Sequence, residues 1–313
     1  MKLSVVFPVY NEAENIPLLL ERLYEVLKKE KFTYEIIAVN DGSSDESFAV
    51  LNSYAMKDPQ FKLISFRVNA GQTAALRAGI ENATGDLIVT MDSDMENDPQ
   101  DIPLLLAKIA EGYDVVSGWR EHRWEGKYFS RKLPSMLANG MISKITGVPL
   151  HDYGCTLKAY RSDVIQGVPL YGEMHRFIPA YAARRGAKVT EMQIRYQPRR
   201  FGKSNYGMSR TFRVLLDLLV IWFLDKYMDR PIHFFGGIGF VLLSLGMLAG
   251  GAAVILRFFG LHLVQTPLPI LATLFLVMGT NLVMMGIIAE MLMRTYYEPR
   301  GQKPYLIKET VNL

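Results

Sequence analysis

Hydrophobic positions along the chain fall into two regimes. Through the first 120 residues, short β-branched runs alternate with helical periodicity. Runs at Ser4–Phe7, Glu35–Val39, Lys62–Phe66, Leu87–Met91 and Val115–Ser117 predict strands. Apolar positions spaced three and four apart predict helices over Ile16–Lys29, Asp45–Ala55, Gln72–Asn82 and Pro99–Glu111. Asn11, Ser44 and Asp98 stand where N-caps belong. This alternation predicts an α/β body built on a mainly parallel sheet with helices on both faces. Beyond residue 120 the pattern weakens, leaving a helix near Met174–Arg185 and a strand near Ala187–Arg195.

The second regime is continuous. Two apolar stretches, His233–Leu256 and Leu268–Ala289, flank a short link, Arg257–Pro267. Each has the roughly 20 residues that cross a bilayer core as a helix. Lys226 and Arg230 precede the pair and Arg294, Arg300 and Lys303 follow it, so the positive-inside bias places body and tail in the cytoplasm. Phe212–Leu224 and Leu133–Ile145 are shorter and punctuated by charge, and both read as interfacial amphipathic helices. For Leu133–Ile145 a core helix of the body is the alternative. The expected division is a catalytic body over 1–208, a juxtamembrane helix over 209–231, two transmembrane helices over 232–289 and a cytoplasmic tail over 290–313. Together these predict a multi-pass protein of the cell inner membrane with both termini cytoplasmic.

Composition sharpens this split. The 313 residues are 50% hydrophobic yet 21% charged. From Pro231 to Ala289 the only full charge is Arg257, so the rest of the chain is about 26% charged, an ordinary soluble value. A net charge of +4 and the lack of an Arg/Lys run give no footprint for nucleic acid. One cysteine, Cys155, excludes an intrachain disulfide framework and fits a reducing compartment. Val5–Tyr10 is too short for a signal-peptide core, and Glu12 and Glu14 follow directly.

In a sheet of this kind ligands bind at the carboxyl ends of strands. The first predicted strand ends in Pro8-Val9-Tyr10-Asn11-Glu12 and the second in Asn40-Asp41-Gly42-Ser43-Ser44-Asp45. Arg67, Asn69 and Gly71 follow the third, and Asp92-Ser93-Asp94-Met95-Glu96 the fourth. Four successive polar, acidic or glycine-bearing turns at one edge predict a site. Asp92, Asp94 and Glu96 alternate along their turn, and clustered carboxylates repel unless a hard cation sits among them, for which Mg²⁺ or Mn²⁺ bridging to phosphates is the natural occupant. A solvated acidic loop is the alternative. The dinucleotide fingerprint, the P-loop and the EF-hand spacing are all absent.

These four turns, in order and spacing, resemble those of the family 2 glycosyltransferases. His151-Asp152-Tyr153-Gly154-Cys155, Lys158-Ala159-Tyr160-Arg161, Phe201-Gly202-Lys203-Ser204, the two spans and Glu290…Arg294…Tyr297-Glu298 extend the likeness over essentially the whole chain. They resemble the polyprenyl-phosphate glycosyltransferases, relatives of dolichol-phosphate mannosyltransferase, of GtrB-type glucosyltransferases and of the aminoarabinose transferase ArnC. The resemblance implies a GT-A fold and an inverting, metal-dependent transfer of one sugar from a nucleotide-sugar donor, a UDP-sugar above others, to undecaprenyl phosphate or a similar polyprenyl phosphate at the lipid bilayer. It also implies a homo-oligomer, a tetramer in relatives. By this likeness Pro8, Tyr10, Glu12, Asp41 and Gly71 serve the donor, Asp92, Asp94 and Glu96 the metal, and Arg120, Arg131 and Ser135 the acceptor phosphate. Arg199 and Lys203 fall on a donor-closing loop. Asp152 fits the family's candidate base, with orientation of an arginine or of sugar hydroxyls as its other roles. Asn205 stands where relatives place lysine, which shifts the positive charge of that loop to Lys203. A GDP-mannose donor and extension of a glycan are the alternative reactions, and the Gln-x-x-Arg-Trp motif of processive synthases is absent.

Overall fold

A computed structural model describes residues 1–30, 32–123, 132–166, 168, 170, 174–197, 223, 231–297 and 307–312. The chain divides into two compact units, one comprising Met1–Arg210 with Lys303–Leu313 and the other Thr211–Gln302. The first is an α/β unit with strands β1 (Lys2–Val9), β2 (Thr33–Asn40), β3 (Phe61–Phe66), β4 (Leu87–Thr90), β5 (Val115–Trp119), β6 (Lys158–Arg161), β7 (Val189–Gln193) and β8 (Ile307–Val311). Its helices are α1 (Asn15–Lys29), α2 (Ser47–Ala55), α3 (Gln72–Glu81), α4 (Ile102–Ala110), α5 (Leu133–Thr146), α6 (Ser162–Ile165) and α7 (Ile178–Arg184), and 3₁₀ turns cover Pro99–Asp101 and Met174–Phe177.

All eight strands form one sheet, ordered β7-β5-β6-β4-β1-β2-β3-β8. β1 pairs in parallel with β2 and β4, β2 with β3, and β5 with β7. β6 runs antiparallel between β4 and β5, and β8 runs antiparallel along β3. Alternation along each strand feeds two cores. Leu3, Val5, Phe7 and Val9 of β1 pack toward Leu19 and Leu23 of α1, Leu51 of α2 and Leu105 of α4. Val6 faces the opposite way, toward Ala74 and Ala78 of α3 and Ile178 and Ala182 of α7. The sheet is thus covered on both faces, and strand order reverses between β1 and β4, the switch point where such folds bind ligands.

Several expectations change here. Asn11 and Ser44 do not cap helices. α1 and α2 begin after Glu14 and Glu46 without a side-chain cap, because the Asn11 side chain instead accepts from the Ser44 amide at 2.8 Å and ties two strand-end loops together. Asp98 does cap, accepting from the Gln100 amide at 3.0 Å. β6, α6 and β8 were not foreseen, and the predicted 174–185 helix splits into a 3₁₀ turn and α7. Phe212–Leu224 lies outside the described residues apart from Phe223.

The second unit carries α8 (Pro231–Phe258) and α9 (Leu268–Tyr297). Both are long and apolar enough to cross a bilayer, with mean hydropathies of 2.2 and 2.1 over their best windows. They pack through glycine: a Cβ on Gly239 would lie 2.8 Å from the Gly279 carbonyl oxygen, and one on Gly279 2.8 Å from that of Gly239. Such close backbone approach is how helices associate in lipid.

At the amino ends of the strands, away from the switch point, one carboxylate organises the sheet. Glu35 is 1% exposed and accepts from Lys2 Nζ (2.7 Å), Ser4 Oγ (2.5 Å) and the Thr84 amide (2.6 Å), with Lys62 Nζ at 3.0 Å. Burial opposes its charge, but these donors outweigh burial and hold its pKa down to about 2. A depressed folded-state pKa stabilises the fold fully above the unfolded value of about 4.3, and that stabilisation is lost as pH falls toward 2. Glu35→Gln is expected to cost on the order of 2–3 kcal/mol in denaturant melts at pH 7 and much less at pH 2.5. An equal loss at both pH values would contradict this account.

Candidate active site

The switch point gathers the predicted strand-end residues. Asp41, 3% exposed, closes β2 and accepts from the Ala70 amide (2.7 Å), the Gly71 amide (3.0 Å) and Asn69 Nδ2 (3.0 Å). Burial pushes its carboxyl up against those donors. Gly42 has φ +65°, and a Cβ there would lie 2.5 Å from the Val68 carbonyl carbon, so only glycine lets the two loops meet. Pro8 lies at the end of β1 and Tyr10, 48% exposed, just past it. Glu12 accepts from Asn15 Nδ2 at 2.5 Å.

After β4, Asp92 accepts from Gln72 Nε2 at 2.7 Å and from Thr156 Oγ1 at 2.8 Å. Burial and the neighbouring Asp94 charge push the Asp92 carboxyl up to about 6, against the Thr156 hydrogen bond and the Arg120 charge. Asp94, 6% exposed, accepts from the Glu96 amide at 3.0 Å. Between them Met95 is buried with φ +62°, a left-handed conformation that costs a non-glycine residue of order 1 kcal/mol and marks a turn over-determined by its surroundings.

Glu96, expected as a third metal ligand, is held by two arginines. Its Oε2 takes Arg120 Nη1 at 3.3 Å and Arg123 Nη2 at 3.2 Å. Among the described residues no three carboxylate, imidazole or thiol groups stand together as a metal cluster. Asp92 and Asp94 remain as hard oxygen donors on one turn, which suits a cation that completes its shell with phosphate oxygens.

Arg120, 4% exposed, is the centre of the other half of the site. Its Nε donates to Asp152 Oδ2 at 2.8 Å and its Nη2 approaches Asp152 Oδ1 at 3.3 Å, a two-point pair. Burial works against the Asp152 charge, but Arg120, with Arg123 and Lys158 beyond it, holds that carboxyl below the usual range. Ser135 lies on α5, where its Oγ accepts from Asn139 Nδ2 at 3.4 Å. Met136, Leu137 and Met141 of α5 are 54%, 62% and 49% exposed. Arg131, Arg199 and Lys203 lie outside the described residues.

Sequence reasoning missed Gln72, Thr156 and Arg123. Gln72 directly follows the Asn69–Gly71 turn, a signal of position alone, and Thr156 stands one residue beyond the quoted 151–155 motif. Arg123 carried no signal.

The residues 4–168 match the model of glycosyl transferase family 2. The chain belongs to that family. It is 40% identical to the dodecaprenyl-phosphate galacturonate synthase of Rhizobium johnstonii, over 99% of this chain and 93% of that protein. It is 35% identical to the undecaprenyl-phosphate 4-deoxy-4-formamido-L-arabinose transferase of Proteus mirabilis, over 100% and 94%. These relatives make it a polyprenyl-phosphate type member and a glycosyltransferase. In fold it resembles glucosyl-3-phosphoglycerate synthase from Mycobacterium tuberculosis, solved with Mn²⁺, UDP and glucosyl-3-phosphoglycerate (TM-score 0.55, 16% identity, 71% of this chain and 78% of that one). Mannosyl-3-phosphoglycerate synthase from Rubrobacter xylanophilus is likewise similar (TM-score 0.56, 13% identity, 72% and 75%). The GT-A fold expected from the sequence is therefore the one observed.

The raised Asp92 pKa carries a sign. A folded value near 6 against about 3.9 unfolded means the fold is penalised once Asp92 must ionise, so stability falls as pH rises through that window. Asp92→Asn in metal-free protein is expected to melt about 3–6 °C above wild type at pH 8 and at nearly the same temperature at about pH 3, below both pKa values. Destabilisation at pH 8 would refute the assignment.

Proposed function

We propose that the protein transfers one sugar from a UDP-sugar to a polyprenyl phosphate at the cytoplasmic face of the membrane, with inversion, giving a polyprenyl-phosphate monosaccharide. The carrying observation is the juxtaposition of the Asp92–Asp94 turn with a buried arginine, Arg120, at one sheet edge, joined through Glu96. Full-length similarity to two polyprenyl-phosphate sugar transferases supports the acceptor class.

In this reading Asp41 and the loop after β1 receive the nucleoside, and Asp92 and Asp94 would hold Mg²⁺ or Mn²⁺ on the diphosphate. The metal would neutralise charge developing on the leaving nucleoside diphosphate. Arg120 offers fixed donors to the acceptor phosphate, with Ser135 and Arg131 as further partners. An oxygen of that phosphate attacks the anomeric carbon as the bond to the diphosphate breaks. A phosphate monoester with a second pKa of about 6 is largely dianionic at neutral pH, so no strong base is needed. Asp152, ionised and paired with Arg120 at two points, therefore acts by orienting the arginine and not by removing a proton. Glu96 fixes the same arginine from the other side.

The chain leaves the sheet-bearing unit before α8 and rejoins it as β8 on β3. A path that departs from and returns to one unit supports an even number of crossings. The basic residues flanking the hairpin support the cytoplasmic side for that unit.

Purified protein given undecaprenyl phosphate and a donor panel, with UDP-galacturonate, a UDP-linked formamido-arabinose and GDP-mannose among them, is expected to yield a lipid-phosphate monosaccharide by mass from a UDP-sugar. Excess EDTA abolishes turnover and Mn²⁺ or Mg²⁺ restores it, while Asp94→Ala lowers kcat by about 10²–10³-fold. Full activity of Asp94→Ala under saturating EDTA would sink the mechanism.

A further inference from the structure

One buried charge has no part in the reaction described so far. Lys158 is 2% exposed on β6, and among the described residues no carboxylate lies within ion-pair distance of it. A buried ammonium is costly unless its donors are used. Lys158 stands in register with Thr90 of β4 on one side and Ser117 of β5 on the other, and Ser117 with Glu191 of β7. Register partners project from the same face of a sheet, so the four form one polar row across four strands.

Three members of this row grip the segment just before β6. Thr90 Oγ1 donates to the Thr156 carbonyl at 2.7 Å. Lys158 Nζ donates to the carbonyls of Tyr153, at 3.3 Å, and Cys155. Glu191 accepts from the His151 amide at 2.7 Å and pairs with His151 Nδ1. From α5, Asn139 holds the same segment, with Nδ2 donating to the His151 carbonyl at 2.8 Å and Oδ1 3.4 Å from the Tyr153 amide. The segment in turn supplies Asp152 to Arg120 and Thr156 to Asp92.

We propose that Lys158 is a positioning residue: with Thr90 and Glu191 beneath the 151–156 loop, it fixes that loop so that Asp152 and Thr156 set the geometry of Arg120 and Asp92 together. The proposal rests on the reading above that Arg120 and Asp92 serve the acceptor and donor. One row beneath one loop then couples both halves of the site, and a shift of the loop disturbs both at once.

The chain provides its own reporter, because its one cysteine, Cys155, lies in this loop and is 1% exposed. Lys158→Met keeps the length of the side chain and removes its donors. In the full chain in detergent, N-ethylmaleimide is expected to label Cys155 of this variant about tenfold faster than its own global unfolding, measured by denaturant, allows. Its kcat falls about 10–100-fold, the scale of a site displaced by an ångström. Leu27→Ala, a cavity in the core beneath α1, is the comparison: its labelling rises only in step with global unfolding. Labelling of Lys158→Met that tracks global unfolding overturns the proposal, and so does an unchanged kcat with the loop released. Glu191→Ala, at the edge strand, tests the same row should Lys158→Met fail to fold, with about threefold faster labelling than unfolding allows and a matching fall in kcat; labelling in step with unfolding overturns the proposal there too. Labelling needs no substrate, so a donor panel without product would defeat the functional reading while the loop result still decides this one.

Discussion

Carboxylates placed together at a strand end cannot be buried without counter-charge, and the active half of this protein is arranged around that requirement. Asp92, Asp94 and Glu96 follow β4 within six residues, and the chain answers with Arg120 and Arg123 from just beyond β5. Arg120 is itself too buried to stand alone, so Asp152 pairs with it at two points. Each charge is tolerable only because the next is present. The antiparallel course of β6 makes this possible: it delivers the loop before it to the carboxyl ends of β4 and β5, some 60 residues away in sequence from Asp92.

The two ends of the sheet show opposite electrostatic logic. At the amino end Glu35 is satisfied from all sides and its pKa falls to about 2, so its charge adds to stability. At the carboxyl end Asp92 is pushed up to about 6, so its charge is held at a cost that a bound cation would offset. Asn11, Gly42, Gly71 and Met95 take positive φ beyond the carboxyl ends of strands, while Gly112 and Gly186 take it ahead of β5 and β7. After β4 the buried left-handed Met95 and the raised Asp92 carboxyl stand on one turn, whereas Glu35 at the opposite edge adds to stability.

The polyprenyl-phosphate acceptor proposed above would account for a charged sheet and two almost uncharged apolar helices in one chain. A polyprenyl phosphate has a head that needs arginine and a tail that needs lipid. After α9 the chain returns to the sheet-bearing unit as β8, antiparallel to β3. Asn312 secures that return, its side chain donating to the carbonyl oxygens of Ala55, at 2.7 Å, and Phe61, at 3.2 Å.

The amino-acid sequence by itself determined the elements with strong period: β1 to β5, α1 to α4 and the two apolar helices, because alternation and helical spacing are local properties of the chain. It determined the strand-end turns as well, since Asp41, Asp92 and Asp94 need only follow a strand to reach the carboxyl edge. Tertiary structure alone decided the partners. Glu96 reads as a third metal ligand by spacing; that Arg120 and Arg123 reach it is set by distances between β4 and β5 that no spacing encodes. Asn11 and Ser44 read as caps but bond each other, because the loops after β1 and β2 lie side by side in a parallel pair. Thr156, Gln72 and the row under Lys158 were invisible for the same reason: a hydrogen bond between strands depends on sheet order and register, and β6 enters that order out of turn.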